Sequence, residues 1–192
     1  SWYRRQRQMC IRDSFEDNDE RSIFFVRGVL ETVRKLGWAP DIIHCTGWMS
    51  SLVPTYLKHV FADEPYFEKA KVIYHVFDEG FEGELNPRMA EKAVAQGIPA
   101  EALAGIANPT FDNLNSLAME GADAIIVGSE TLTDGTQATL AKMDKPILTY
   151  RGEEGFSGEI NTFYDAILEG KTEAVAESVS YTHLRAHETN QD

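Results

Sequence analysis

His44-Cys45-Thr46-Gly47-Trp48 sets an imidazole, a hydroxyl, a glycine and a large aromatic within five residues. Sugar rings present apolar C–H faces that pack on aromatic side chains, while their hydroxyls need donors and acceptors. Trp48 with Thr46 and His44 could supply both, and Gly47 would let the backbone come close. The same residues also fit a plainer role, with Trp48 in the core face of a helix and His44 buried and hydrogen bonded. A second stretch offers His75, Asp78, Glu79 and Glu82. Paired carboxylates do acid–base work when their surroundings separate their pKa values, but clustered acids on a loop are more often solvated surface. His75 and Phe77 point to one face of an extended segment, which suits packing as well as ligand binding.

Other chemistries find no pattern here. No His-Glu-x-x-His or comparable ligand spacing is present, so no metal is expected. Neither Walker A nor Gly-x-Gly-x-x-Gly occurs, and no cofactor is expected. Gly128-Ser129 lacks the closing glycine of a hydrolase elbow, because residue 131 is Thr131, so Ser129 reads as a helix cap.

Positioning these residues requires strands that end just before them. Asp41 to His44, Val72 to Phe77, Ala124 to Val127 and Ile147 to Tyr150 are short, apolar and β-rich, as buried parallel strands are. Helical patterns alternate with them. Phe25, Val26, Val29, Leu30, Val33 and Leu36 recur at spacings of three and four, with Asn18 or Asp19 as cap and Gly37 as stop. Further helices are predicted over Trp48–Val60, kinked at Pro54 unless the helix effectively starts close before it, then from Pro87 to Gln96, Asn113 to Glu120 and Thr162 to Leu168. The alternation predicts an α/β fold, a Rossmann-like parallel sheet with helices on both faces, whose ligands bind outside the carboxyl ends of the strands. Those ends are His44 to Trp48, Phe77 to Gly83 and Gly128 to Glu130.

The two ends of the chain read differently from the middle. Written in codons, Met9-Cys10-Ile11-Arg12-Asp13 can be ATG TGT ATA AGA GAC, and the complementary strand then encodes Val179-Ser180-Tyr181-Thr182-His183. Residues 1–14 and 178–192 are therefore expected to be translated sequencing-adapter sequence, leaving one domain over 15–177. The chain has 192 residues and a net charge of −13. Five of its 18 Lys and Arg and three of its 31 Asp and Glu lie in those flanks, so the middle carries −15. That sign disfavours nucleic acid and anionic membrane as partners. With Cys10 in a flank, Cys45 stands alone, which excludes an internal disulfide and fits a reducing cytoplasm. No apolar run approaches the roughly 20 residues of a membrane span.

Pro40-Asp41-Ile42-Ile43-His44-Cys45-Thr46-Gly47-Trp48, continuing through Leu52-Val53-Pro54-Thr55-Tyr56-Leu57 to Lys58, closely resembles the acceptor-domain motif of bacterial glycogen synthases and plant starch synthases, P-D-[IV]-[IV]-H-x-H-D-W-x-x-[AG]-L-x-P-x-Y-L. Gly121 to Ser129 resembles the family's Y-A-D-x-[IV]-x-x-V-S strand. The resemblance runs from about Phe15 to Leu168.

That resemblance implies a partial N-terminal GT-B domain, the acceptor side of an enzyme that moves glucose from ADP-glucose to the non-reducing end of an α-1,4-glucan. It implies substrate-binding roles for His44, Thr46, Gly47, Trp48, His75 and Asp78, and assigns no catalytic residue. Two departures weaken catalysis. The family's His-Asp-Trp is Thr46-Gly47-Trp48 here, and its Thr-Val-His-Asn is His75-Val76-Phe77-Asp78, so a carboxylate and a histidine are absent. The Lys-Thr-Gly-Gly-Leu nucleotide loop and a second domain are absent as well. The departures resemble a short bacterial subgroup of glycogen/starch synthases, and this chain alone is expected to be inactive. The alternative is a degenerate half-domain that binds glucan or a separate protein partner without transfer.

Overall fold

The computed structural model describes residues 16–170, so the expected flanks at 1–14 and 178–192 lie outside the described residues. Helix α1 (Asn18–Lys35) leads into strand β1 (Ile42–Thr46), a 3-10 turn (Trp48–Ser50) and α2 (Val53–His59). Then come β2 (Lys71–Val76), α3 (Met89–Val94), a second 3-10 segment (Ala100–Ile106) and α4 (Phe111–Gly121). Strand β3 (Ala124–Val127), α5 (Asp134–Leu140), β4 (Ile147–Leu148) and α6 (Phe156–Glu169) complete the described chain.

The four strands form one parallel sheet in the order β1-β2-β3-β4. His44 lies beside Ile73 and Thr46 beside His75, while His75 also pairs with Ile126. Each strand takes the next place in the sheet, and right-handed crossovers then put the connecting helices on a common face. Strand residues of one parity, among them Cys45, Tyr74, Val76 and Ile125, join Val26, Leu30, Tyr56, Met89 and Leu114 in the larger core. Residues of the other parity, Ile73, Ala124 and Ile126, pack with Phe163 and Ile167 of α6. The sheet is thus the expected α/β, Rossmann-like arrangement with helices on both faces.

Several boundaries differ from the sequence pattern. The predicted helix over 48–60 divides into a 3-10 turn and α2, because Pro54 sits in the first turn of α2, where its missing N–H removes no intrahelical bond. Gly121 ends α4 against that proline, and a Cβ there would come within 2.7 Å of Pro54 Cβ. Ser129 caps no helix. Thr133 caps α5, accepting from the Thr136 N–H, and Ser129 Oγ instead accepts from the Asp78 N–H at 3.0 Å. Helix α1 begins after Asp17 with no side-chain cap, and Asp19 is buried against Lys92, whose Nζ lies 2.6 Å from Asp19 Oδ2. Ile23, Val26 and Leu30 form the buried face of α1, leaving Phe25, Val29 and Leu36 of the predicted stripe in solvent.

Candidate functional site

The turn after β1 is built on Gly47, whose backbone sits at φ 70° and ψ 173°. This region is open to glycine and strained for residues with a Cβ. Gly47 N–H donates to the His75 carbonyl at 3.0 Å, extending the β1–β2 ladder by one bond. Its own carbonyl accepts from the Ser50 N–H and from Ser50 Oγ, which starts the 3-10 turn. Trp48 therefore swings under the following loop. Trp48 is only 8 % exposed and its ring meets Phe81 edge to face at 5.0 Å, and Phe81 meets Phe111 in turn.

On the opposite face of the sheet lies a cluster of rings. His44 Nε2 and His75 Nδ1 are 3.1 Å apart with the imidazoles stacked, and the Tyr164 hydroxyl of α6 hydrogen-bonds His44 Nδ1. His75 also stacks on Phe77 at 4.2 Å and meets Phe156 edge-on. If Tyr164 donates to His44, then His44 donates from Nε2 and His75 keeps its proton on Nε2. The reverse chain leaves a bare lone pair on that atom. In either case His75 Nε2 is buried with no hydrogen-bond partner among the described residues. It faces Gly128, where a Cβ would land 2.7 Å from Phe77 Cδ1 and closer still to both Phe77 Cε1 and His75 Nε2. Burial pushes the His75 pKa down to about 4, and the neighbouring imidazole of His44 adds to the shift. Desolvation lowers His44 as well. Both rings are therefore neutral at pH 7.

Of the six residues singled out in the sequence, Thr46, Gly47, Trp48, His75 and Asp78 lie at the carboxyl ends of β1 and β2 and His44 in the middle of β1, but their side chains divide. His44 and His75 belong to the α6 face, whereas Trp48 belongs to the larger core. Thr46 and Asp78 are exposed, and Asp78 Oδ2 accepts from Thr131 Oγ1 at 3.0 Å. Glu79 and Glu82 are solvated on the same loop. Sequence spacing did not reveal Tyr164, which lies 120 residues from His44, or Phe81 as the cover of Trp48. Gly128, the first residue after β3, carried a usable signal, since a glycine there marks a close approach. Among the described residues no group of three His, Cys, Asp or Glu is placed to hold a metal ion. No described helix is long and apolar enough to cross a membrane.

Residues 2–143 match the sequence profile of the starch synthase catalytic domain. The chain belongs to that family. Among curated relatives, it is 35 % identical to the glycogen synthase of Chlorobium luteolum over 124 residues, which are 64 % of this chain and 24 % of that protein. It is 40 % identical over 68 residues to the glycogen synthase of Elusimicrobium minutum, covering 35 % of this chain and 14 % of the relative. The glycogen synthase of Thermotoga maritima is 36 % identical over 83 residues, 43 % of this chain and 16 % of its own length. The chain thus spans about a quarter or less of the length of these relatives.

Proposed function

We propose that residues 15–177 are the acceptor-side domain of a glycogen synthase-like glucosyltransferase of GT-B architecture acting in the cytoplasm, with an α-glucan as acceptor and ADP-glucose as donor. The observation that carries this reading is the motif from Pro40 to Lys58, which builds β1, the Gly47 turn and α2 and aims its functional residues at the carboxyl end of a parallel sheet. Thr46, Gly47 and Asp78 form the glucan-facing rim, Trp48 packs beneath Phe81 behind it, and His44 and His75 brace the strand ends beside it.

The same geometry supports a second reading, a glucan- or partner-binding domain without transfer. Gly47 occupies a conformation that an aspartate resists, and Phe77 fills its site by stacking on His75, so neither lost group has an evident substitute. Titration with maltooligosaccharides followed by Trp fluorescence, beside a labelled ADP-glucose transfer assay, separates the readings. Saturable quenching with transfer supports a transferase, and quenching without transfer supports the binding domain. A flat response in both assays removes glucan from the proposal.

A further inference from the structure

The loop between β2 and α3 is held at its two ends and loose between them. The Asp78 N–H donates to Ser129 Oγ at 3.0 Å, and Thr131 Oγ1 donates to Asp78 Oδ2. At the far end Glu84 bridges to Thr110, and the Leu85 N–H donates to the Pro109 carbonyl at 3.0 Å. From Glu79 to Gly83 no hydrogen bond is made to any other described residue. Segments with few hydrogen bonds and few buried contacts occupy the low end of a protein's local stability. Glu79, Gly80, Glu82 and Gly83 are exposed, and Phe81 alone turns inward, onto Trp48 and Phe111. Gly80 rests against Phe111, where a Cβ would come within 2.9 Å of the ring, and Gly83 turns the chain at φ 80°. Phe81 therefore rides on a short strap with a glycine on either side, and a few such loop residues are what absorb the backbone change when a lid moves.

Trp48 follows β1 directly at the carboxyl end of the sheet, next to the exposed Thr46. A phenyl ring and the C–H face of a glucose unit make the same demand on an indole, which is apolar contact with a flat surface. The chain meets that demand with its own side chain, and Trp48 is sealed from water as a result. Lifting the phenyl ring opens Trp48 to solvent, and a sugar ring in the vacated place restores the burial that the strap gives up. Both hydrogen bonds of Asp78 lie outside the strap, so the loop stays anchored when its middle moves.

We propose that Phe81 gates the acceptor site: the strap from Glu79 to Gly83 lifts, carries the phenyl ring off Trp48, and a glucose unit of the glucan takes its place on the indole. This gate rests on the glucan reading given above and adds the step that admits the ligand. A gate lowers the apparent affinity by the fraction of molecules that are open. Removing the phenyl ring therefore tightens glucan binding, whereas removing a side chain that only braces the site would weaken it.

Isothermal titration of the full chain with maltoheptaose, comparing the wild type with Phe81→Ala and Phe81→Leu, tests this. Acrylamide quenching of tryptophan emission, with the matching Trp48→Phe proteins subtracted, reports access to Trp48 among the three tryptophans of the chain. The expected result is a dissociation constant lowered at least ~10-fold in Phe81→Ala, the reciprocal of an open population of roughly 10 % or less. Phe81→Leu should give a smaller gain, and acrylamide should reach Trp48 in Phe81→Ala but not in the wild type. Melting profiles establish that each variant is folded, and Phe81→Leu, which keeps an apolar side chain against Trp48, carries the comparison if Phe81→Ala does not fold. Equal or weaker glucan binding by the folded variants overturns the gate and leaves the glucan reading standing. A Trp48 that stays shielded without the phenyl ring overturns it as well. Binding by neither the wild type nor the variants removes the glucan reading, and the gate with it.

Discussion

Lowering the pH from 7 to 4 should destabilise this domain through the His75–His44 pair. His75 is 7 % exposed and shares a hydrogen bond with His44, and its folded pKa lies near 4 against an ordinary value of 6.5. A histidine whose folded pKa is depressed takes up its proton in the unfolded chain first, so the unfolded state binds more protons between pH 6.5 and 4. Stability therefore falls as the pH falls through that window and levels off below about 4. The full shift corresponds to about 3 kcal/mol at 1.36 kcal/mol per unit. With His44 partly open to water, screening brings the expected loss nearer to about 2 kcal/mol. His44 is shifted in the same direction and acts with the same sign. Protonation of His75 would also leave its Nδ1 facing His44 Nε2 as a second donor, unless His44 turns its own proton toward Tyr164. Urea denaturation at pH 7, 6, 5 and 4 measures the effect, and subtracting the profile of His75→Asn removes the contribution of the many carboxylates common to both proteins. Parallel wild-type and variant profiles across this window would refute the reasoning.

Gly128→Ala should cost about 2–3 kcal/mol in urea denaturation, because its Cβ has no room between His75 and Phe77 and His75 is backed by Phe156 of α6. Lys92→Met leaves the Asp19 carboxylate, whose side chain has no solvent exposure, without its cation, and a loss of about 3 kcal/mol at pH 7 is expected by the same measurement. Gly47→Asp restores the family's residue type but meets a backbone at φ 70°, so a loss of about 1–2 kcal/mol and no gain of glucose transfer is expected. Melting temperature and the transfer assay, run together, check both halves of that statement.

The segment from Pro40 to Lys58 was legible as strand then helix because its apolar run and helical pattern are local signals, whereas the 3-10 turn at Trp48–Ser50, with α2 starting at Val53, was read as part of that helix. The alternation of strands and helices likewise announced a parallel sheet with its ligand edge at the strand ends. Other features depended on distant contacts. In α1, six apolar residues at helical spacing read as one stripe, yet Met49 and α3 meet only one flank, through Ser22 and Asp19. Phe25 and Val29 are left outside because burial depends on which neighbours arrive and not on periodicity alone. Trp48 had the composition of a sugar platform, and the fold turned it beneath Phe81, from a loop more than thirty residues away. His44 and His75 came together because parallel pairing aligns their strands in register, and Tyr164 joined them when α6 crossed the free face of the sheet. Residue types and local spacing thus fix which groups the strand ends carry, while chain crossovers decide which of those groups meet, since side-chain contacts between elements follow from packing that no single segment contains.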